Sequence, residues 1–250
     1  MGRWGKWAIA TMILAQATIG SALASMADTL NPVQQLLVSR QCNGCDLAGA
    51  ALSGLQLAGV SLTRANLQNA NLQDAVLRNA NLQGADLTQA NLQAAVLTQT
   101  NLTAATLVES NLSDARLAFA DLTETDLQRA DLMGAIAPET NFTGAQLAAA
   151  DLSAAVLIKA SFTTANLASA NLQAADLTEA YILRTDATNA NLQGADFSRA
   201  RLVRSNFDGA DLTEANLRRA IINRSTFEDA TFCRTIMPDG SLNNADCLRE

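Results

Sequence analysis

Four cysteines are the most reactive side chains of this 250-residue sequence. Cys42 and Cys45 form a C-x-x-C pair, whereas Cys233 and Cys247 lie near the C-terminus. An even number of cysteines in an exported chain indicates disulfides, for which three pairings are possible. The alternative is a redox-active Cys42–Cys45 pair, although nothing thioredoxin-like surrounds it.

Other catalytic and metal-binding groups are scarce. The sequence has no histidine, which excludes imidazole catalysis and histidine-ligated metal sites. Lysine and arginine total 17 against 24 acidic residues, and this net charge of −7 argues against a nucleic-acid-binding protein. No nucleophile is paired with a base. We therefore expect no enzyme activity, no cofactor and no bound metal.

Residues 1–24 have the pattern of a secretory signal peptide. Arg3 and Lys6 precede a mostly apolar stretch of 12 residues, and an A-x-A cleavage pattern follows at 22–24. Because this stretch is too short for an ordinary membrane span, we expect no stable membrane insertion after cleavage. A second cleavage position follows Ala27, and a short uncleaved anchor is the alternative. The mature chain keeps 15 basic and 24 acidic residues, a net charge of −9.

Residues 25–45 are predicted to form an N-terminal helix and cap. Asn31 followed by Pro32 resembles a helix N-cap with proline at the first helical position. We expect a short amphipathic helix from Pro32 to Ser39, whose apolar face covers the open end of the structure that follows. The residues of that face are Val33, Leu36 and Leu37.

A five-residue repeat occupies residues 46–245. Every fifth residue from Leu47 to Leu242 gives 40 positions, of which 29 are Leu and six are Phe. Two residues earlier, all 36 positions from Ala65 to Gly240 are Ala, Ser, Thr or Gly. Asn or Asp most often lies between them, so the consensus is A-(N/D)-L-x-x. An internal repeat of this regularity is stronger evidence for the fold than the secondary-structure propensities of its residues.

The period has a direct physical interpretation. The small and the large residue are two positions apart, so they share one face of an extended triplet, and the remaining two residues turn a corner. Repeated turns in one sense make coils, which stack about 4.8 Å apart and pair their backbone groups. Leu and Phe then fill the interior, and Ala leaves room for them. The 49 Ala and 37 Leu residues, which propensity alone would assign to helices, therefore predict an all-β coil.

The A-(N/D)-L-x-x run resembles the pentapeptide-repeat family over residues 46–245. The resemblance implies a right-handed quadrilateral β-helix with four pentapeptides per coil. The 40 pentapeptides then give ten coils and a rod roughly 48 Å long. The two ends, from Gln41 to Leu47 and from Phe232 to Cys247, resemble those of exported cyanobacterial members, which implies the periplasm or thylakoid lumen. Residues 246–250 form a C-terminal tail.

The length of this rod limits which cysteines can form disulfides with one another. Its two ends lie tens of ångströms apart, which leaves Cys42–Cys45 and Cys233–Cys247 as the expected disulfides. A bond at each end would protect the exposed coil edges from fraying and from edge pairing.

Residues 20 apart stack if each coil holds 20 residues, and one apolar column results. The outward position before the central residue is normally polar, yet on one face it is repeatedly β-branched, with Arg116 as the interruption. The members of this apolar column are Val76, Val96, Ile136 and Val156, with Ile158 beside them. Contiguous exposed apolar patches often mark contact sites, so one interpretation is a partner or dimer surface. The alternative is β-propensity on a solvated face.

A basic edge lies near the C-terminal end of the acidic rod. Its members are Arg184, Arg204 and Arg224, which stack, flanked by Arg199 and Arg219. One interpretation is a solvated strip balanced by Glu179, Asp208 and Glu228. The alternative is a site for an anion or an acidic partner.

Another face carries stacked amides and carboxylates. Its members are Asn71, Asn91, Asn111, Asp131, Asp151, Asn171 and Asn191. Stacked amides can bond along a ladder, whereas stacked carboxylates repel and should stay exposed or accept bonds from corner N–H groups. A metal site is disfavoured here, because its ligands must converge on one ion.

Two residues break the run of large central side chains. At Ala137 the central Leu is replaced and Pro138 removes a backbone donor, which predicts a kink or bulge. Ala187 lacks core volume and predicts a small void or an inward shift of its neighbours.

The sequence supports a non-enzymatic exported structural or interaction protein that binds an unidentified protein partner through its outer faces. A filled rod offers no substrate cavity. One alternative is DNA mimicry directed at a type II topoisomerase, which the net charge favours and the signal peptide disfavours. Another is an exported thiol–disulfide protein that uses Cys42 and Cys45. The chain is expected to be a monomer or a weak homodimer.

Overall fold

The computed structural model describes residues 31–247, which form a stack of coils with a strict 20-residue register. Parallel bridges join residues 20 apart from Gln41↔Ser61 to Asn216↔Ile236. Each coil therefore contains four pentapeptides and has four outer faces. The expected signal peptide, both of its cleavage positions and most of the C-terminal tail lie outside the described residues.

Backbone hydrogen bonds explain why the repeat has five residues. Leu62 and Arg64 donate their N–H groups to the carbonyls of Asn81 and Gln83 in the next coil, at 2.7 and 2.9 Å. Ala65 donates within its own repeat to the Leu62 carbonyl at 3.0 Å. The N–H of the residue after the central one has no acceptor in this ladder, and the Gln83 N–H instead donates to the Asn81 side chain at 3.1 Å. The Asn/Asp position of the consensus thus caps the amide that the ladder leaves free.

Each corner contains one residue in the left-handed backbone region. Non-glycine residues at this position, such as Ala154 and Arg204, have φ values of 54° and 55°. Many coils place glycine there, as at Gly144 with φ 71°. The chain therefore tolerates an unfavourable conformation at most corners, because the inter-coil ladder and the core determine the turn.

The interior is filled by the two inward positions of each repeat. The central Leu and Phe side chains and the small Ala side chains are almost completely buried along the rod. Two phenylalanine pairs stack between coils, Phe142 on Phe162 with centroids 4.9 Å apart and Phe207 on Phe227 at 5.0 Å. Buried Thr or Ser at most of the small positions donates its hydroxyl to a carbonyl of the preceding coil, as Thr185 does to Phe162 at 2.6 Å. Ser110 instead donates to the Leu107 carbonyl of its own repeat at 2.7 Å.

The longer strands lie at the C-terminal end. Strands β1 (Tyr181–Leu183), β2 (Arg201–Val203) and β3 (Ile221–Asn223) form a parallel sheet in that order. Strands β4 (Thr235–Ile236) and β5 (Leu242–Asn243) pair antiparallel and close the end of the stack.

Helix α1 (Pro32–Ser39) lies before the first coil. Asn31 accepts a hydrogen bond from the Gln34 N–H at 2.9 Å, and the Gln34 side chain accepts one from the Asn31 N–H at 3.2 Å. Leu36 is buried against the core, and Val33 packs beside it. The prediction that Leu37 shares this buried face is wrong, because its side chain is 45% exposed. A helix of this length contacts the stack along one narrow line, which Leu36 occupies.

The predicted disruption at Pro138 is also wrong in its main consequence. The bridges Arg116↔Ile136 and Ile136↔Val156 continue through this coil in register, and Ala137 donates to the Val156 carbonyl at 2.8 Å. Pro138 follows the central residue, where the backbone N–H takes no part in the ladder. Proline therefore removes no inter-coil hydrogen bond at this position.

Each central alanine shares its coil with a phenylalanine. Phe142 follows Ala137 by one repeat, and Phe197 follows Ala187 by two repeats. All four side chains are buried. We infer that the large ring supplies volume that the alanine lacks, since a protein interior is packed to a nearly constant density.

Candidate interaction surfaces

The apolar column is one continuous line on a single face. The bridges Val76↔Val96, Val96↔Arg116, Arg116↔Ile136 and Ile136↔Val156 place these residues directly above one another. Ile158 lies on the same face, and its carbonyl accepts a hydrogen bond from Glu139 one coil below. Ile136 is 41% exposed, and the other apolar members are half-buried.

Two further exposed apolar side chains lie close to Ile136 along the rod. Phe119 is 54% exposed at the corner that follows this face, one coil earlier, and donates its N–H to Pro138 at 3.1 Å. Met133 is 50% exposed just before the corner that precedes Ile136. The sequence prediction took the apolar column from the position before the central residue, with Ile158 beside it, and included neither Phe119 nor Met133. We call Phe119, Met133 and Ile136 the apolar cluster.

The basic edge is arranged on two corners that flank sheet β1–β3. Arg184, Arg204 and Arg224 occupy one corner column with φ values of 56°, 55° and 57°, and all are exposed. Arg199 and Arg219 occupy the other corner column. The sheet between them adds Arg201 and the exposed Tyr181 and Ile221, which the sequence prediction did not include. Counting by 20 from Tyr181 would have identified these residues.

Among residues 31–247, Glu179 is the one expected balancing acid that forms an ion pair with the basic edge. Glu179 pairs with Arg199 at 3.4 Å and with Lys159 at 3.9 Å. Asp208 accepts a hydrogen bond from the Glu228 backbone N–H at 2.8 Å. The interpretation of a balanced strip therefore holds for Arg199 but not for the Arg184, Arg204 and Arg224 column, for which residues 31–247 contain no ion pair within 4 Å.

The ladder predicted for the stacked amides is present at residues 151, 171 and 191. The Asn171 amide donates to Asp151 at 3.0 Å, and the Asn191 amide donates to Asn171 at 3.0 Å. Asp131 and Asp151 each accept a backbone N–H from two residues ahead, both at 2.9 Å. These carboxylates are therefore part of the local turn structure.

Asp86 and Asp211 have pKa values below the ordinary value of an aspartate. Burial raises the pKa of Asp86, but hydrogen bonds from Thr88 and Gln68 outweigh it, so the pKa lies below its ordinary value. Asp211 has a lowered pKa for the same combination of reasons, with Gln193 and Thr213 as its donors. Both carboxylates are stabilised in the ionised form, which suits a structural role.

The structure joins Cys42 to Cys45 and Cys233 to Cys247, with Cα–Cα distances of 5.2 and 4.6 Å. Cys42 is fully buried in the first coil, close to Leu36 of helix α1. A redox-active cysteine must be accessible to its substrate. The position of Cys42 therefore favours a structural role for this pair.

Residues 31–247 contain no cluster of three or more Cys, Asp or Glu side chains that could hold a metal ion. None of the helices in that part of the chain is long and apolar enough to span a membrane.

Comparison with known proteins identifies the repeat. The family profile described as Pentapeptide repeats matches the chain in eight copies that together extend over residues 41–246. The chain belongs to the pentapeptide repeat family. Pentapeptide repeat proteins form right-handed quadrilateral β-helices, in agreement with the four-sided coils described above. No curated protein matches the sequence.

Several solved pentapeptide repeat proteins are similar to this chain. HetL, from the cyanobacterium Nostoc sp. strain PCC 7120 and involved in heterocyst differentiation regulation, is 28% identical; the match covers 84% of this chain and 98% of HetL, with a TM-score of 0.47. A thylakoid-lumen protein of Arabidopsis thaliana is 30% identical over 41% of this chain and 68% of its own, with a TM-score of 0.34. QnrB1, a plasmid-mediated fluoroquinolone resistance protein, is 16% identical over 76% of this chain and 92% of its own, with a TM-score of 0.37.

Proposed function

We propose that this pentapeptide repeat protein is a non-enzymatic, exported interaction rod of about ten coils, capped by helix α1, that binds a protein partner through its outer faces. The observation that carries the proposal is the apolar cluster in the middle of the rod. Three of the exposed large apolar side chains, Phe119, Met133 and Ile136, fall within two successive coils. Large exposed apolar groups close together are typical of protein contact sites.

The hydrogen bonding of the repeat strengthens this proposal. Asn or Asp before the central residue caps the free amide two residues later, as Asp131 does for Met133. Val has no acceptor atom, so Val76, Val96 and Val156 give up this bond, whereas Ile136 precedes Pro138, which has no N–H to be capped. A column that repeatedly departs from the stabilising consensus is better explained by a contact than by the needs of the coil.

Export is the second element of the proposal. It is supported by the signal-like segment 1–24 and by the four cysteines, all of which pair in the structure. Cell fractionation followed by mass determination of the purified protein tests it. We expect a periplasmic or lumenal protein that begins after Ala24 or Ala27 and has no free thiols. A full-length cytosolic protein with reduced cysteines would contradict export and favour the DNA-mimic alternative.

Binding through the apolar cluster is tested by photo-crosslinking in the cell. A photoreactive amino acid at position 136 should produce a cross-linked product of defined mass. The matched control is position 146, which lies in the same coil and has the same place in its repeat, but is two repeats away and so on the opposite face. Equal products from both positions, or none from either, would contradict the proposal.

A further inference from the structure

The Arg184, Arg204 and Arg224 column borders a surface groove of about 530 Å³. The groove runs along the edge of sheet β1–β3, where Arg184 donates its backbone N–H to Val203 at 2.9 Å and Arg204 donates to Asn223 at 2.8 Å. Half-buried Leu183 and Val203 form its apolar lining, and Thr163 and Asn223 add polar groups. We call this feature the arginine groove.

The three arginines have no acidic partner within the described residues. The four ion pairs of residues 31–247 involve other basic side chains. The nearest acid along the chain, Asp186, accepts a hydrogen bond from the Thr188 N–H at 3.0 Å. Three like charges stacked at about 4.8 Å intervals repel one another, so the column does not stabilise the coil itself.

The charge of these coils is divided between two sides. Arg199, Arg201 and Arg219 lie on the face of sheet β1–β3 or at its corner, whereas Asp208 and Asp211 lie on the next two faces of the same coils and Glu214 lies at the corner that follows. A rod with a net mature charge of −9 thus presents one strongly positive side. Such a local field attracts an anionic partner and orients it.

From this geometry we propose that the arginine groove binds an extended, acidic segment of a polypeptide that also carries apolar side chains. The guanidinium groups provide charged donors along one edge, and Leu183 and Val203 provide apolar contact. An extended peptide presents same-side residues about 6.8 Å apart, so two carboxylates fit along the roughly 10 Å from Arg184 to Arg224. This inference rests on the proposed function, because it specifies the chemistry of a protein partner.

The concave shape favours a peptide segment over a membrane surface. A groove of this volume accommodates a local segment, whereas a flat anionic bilayer would also approach the acidic faces beside it. Repulsion from those faces opposes binding to an extended surface but not to a short segment.

The test uses the mature chain and fluorescein-labelled octapeptides of alternating Glu and Leu, with Gln-for-Glu peptides as the uncharged match. Fluorescence anisotropy gives the affinities. The sole tyrosine, Tyr181, lies on β1, and both tryptophans fall at 4 and 7, so tyrosine emission is a second, local signal. We expect the Glu peptide to bind at least tenfold more tightly than the Gln peptide, and raising the salt concentration to weaken that binding.

The decisive variant combines Arg184→Gln, Arg204→Gln and Arg224→Gln, which should lower affinity about tenfold, since exposed charge pairs each contribute a few-fold. Glutamine is compatible with this corner, because Gln89 and Gln99 adopt it with φ values of 57° and 58°. Arg64→Gln is the matched control, because Arg64 occupies the same column six coils earlier; it should leave affinity unchanged.

Three results would overturn the inference: equal binding of both peptides, a triple variant that binds like the wild type, or arginine-dependent binding to phosphatidylglycerol vesicles without peptide binding. The proposed function is judged separately. If cross-linking at position 136 captures a partner while the triple arginine variant binds the peptide as tightly as the wild type, this inference alone fails. If no partner is captured at any face, the proposed function fails.

Discussion

The same substitution at two adjacent residues should have opposite effects on stability. Ala154 is an exposed corner residue with φ 54°, and Ala155 is the next residue, 1% exposed in the small inward position. The left-handed conformation costs an L-residue about 1–2 kcal/mol, and Ala154→Gly removes this cost because glycine adopts the conformation without strain. The same substitution costs about 0.5–1 kcal/mol because glycine makes the unfolded chain more flexible. We therefore expect Ala154→Gly to raise the free energy of unfolding by about 0.5–1 kcal/mol.

Glycine at 155 has no such compensation. It removes a buried methyl group, worth about 0.8 kcal/mol, and adds the same entropic penalty of about 0.5–1 kcal/mol. We therefore expect Ala155→Gly to lower the free energy of unfolding by about 1.5 kcal/mol, which places the two variants about 2 kcal/mol apart. Backbone N–H donation is retained in both, to Gln173 for Ala154 and to Leu152 for Ala155.

The assay is urea unfolding of the mature chain followed by far-UV circular dichroism, since both tryptophans lie in residues 1–24. The midpoint should rise for Ala154→Gly and fall for Ala155→Gly, with an unchanged slope. If both variants lose stability equally, the assignment of these residues to a strained corner and a filled interior is wrong.

Three further predictions concern the ladder, the carboxylates and the buried hydroxyls. Ala148→Pro should be tolerated within about 1 kcal/mol in urea unfolding, since its N–H is outside the ladder, whereas Ala149→Pro should lose 3 kcal/mol or more, because Ala149 donates to the next coil at 3.0 Å with φ 56°. Because the pKa of Asp86 is lowered in the folded state, its ionised carboxylate stabilises the fold at pH values above the ordinary pKa of about 4. This stabilisation is lost as the pH falls through the folded-state pKa, so Asp86→Asn should flatten the acid dependence of the urea midpoint. Thr185→Val removes a buried hydroxyl donor and should lower stability by about 1 kcal/mol rather than unfold the rod, since the Phe162 carbonyl keeps its bond from a backbone N–H; a loss above about 3 kcal/mol would contradict this.

The five-residue arithmetic predicts most of the fold because the interior is so regular. Two inward slots per repeat, one small and one large, determine which side chains are buried, and counting by 20 places Val76 below Val96. The same counting places Arg184 below Arg204, as the structure has them. A solenoid repeats one local solution, so sequence periodicity translates directly into stacking.

Features that depend on backbone detail were not predictable in this way. The tolerance of Pro138 depends on knowing that the amide after the central residue does not donate to the next coil. The exposure of Phe119 depends on the left-handed corner, which projects that side chain outward. The exposure of Leu37 depends on how a short helix meets the first coil, which helical periodicity alone does not specify.

The sequence likewise did not predict that Arg184, Arg204 and Arg224 have no acidic partner among the described residues. Glu179 and Asp208 are close in sequence to the column of Arg184, Arg204 and Arg224. Glu179 nevertheless contacts Arg199 and Lys159, and Asp208 accepts a hydrogen bond from a backbone amide. Net charge and column arithmetic cannot show which side chain each carboxylate reaches.

The most direct test of the account is the affinity of the cross-linked partner for two surface variants of the mature protein. Ile136→Asp places a charge in the apolar cluster, and Gln146→Asp places the same charge in the same coil on the opposite face. We predict that Ile136→Asp weakens binding at least tenfold and that Gln146→Asp leaves it within twofold, because an unpaired carboxylate is costly only where it is desolvated. Equal affinities for both variants and the wild type would contradict the claim that the rod acts through this face.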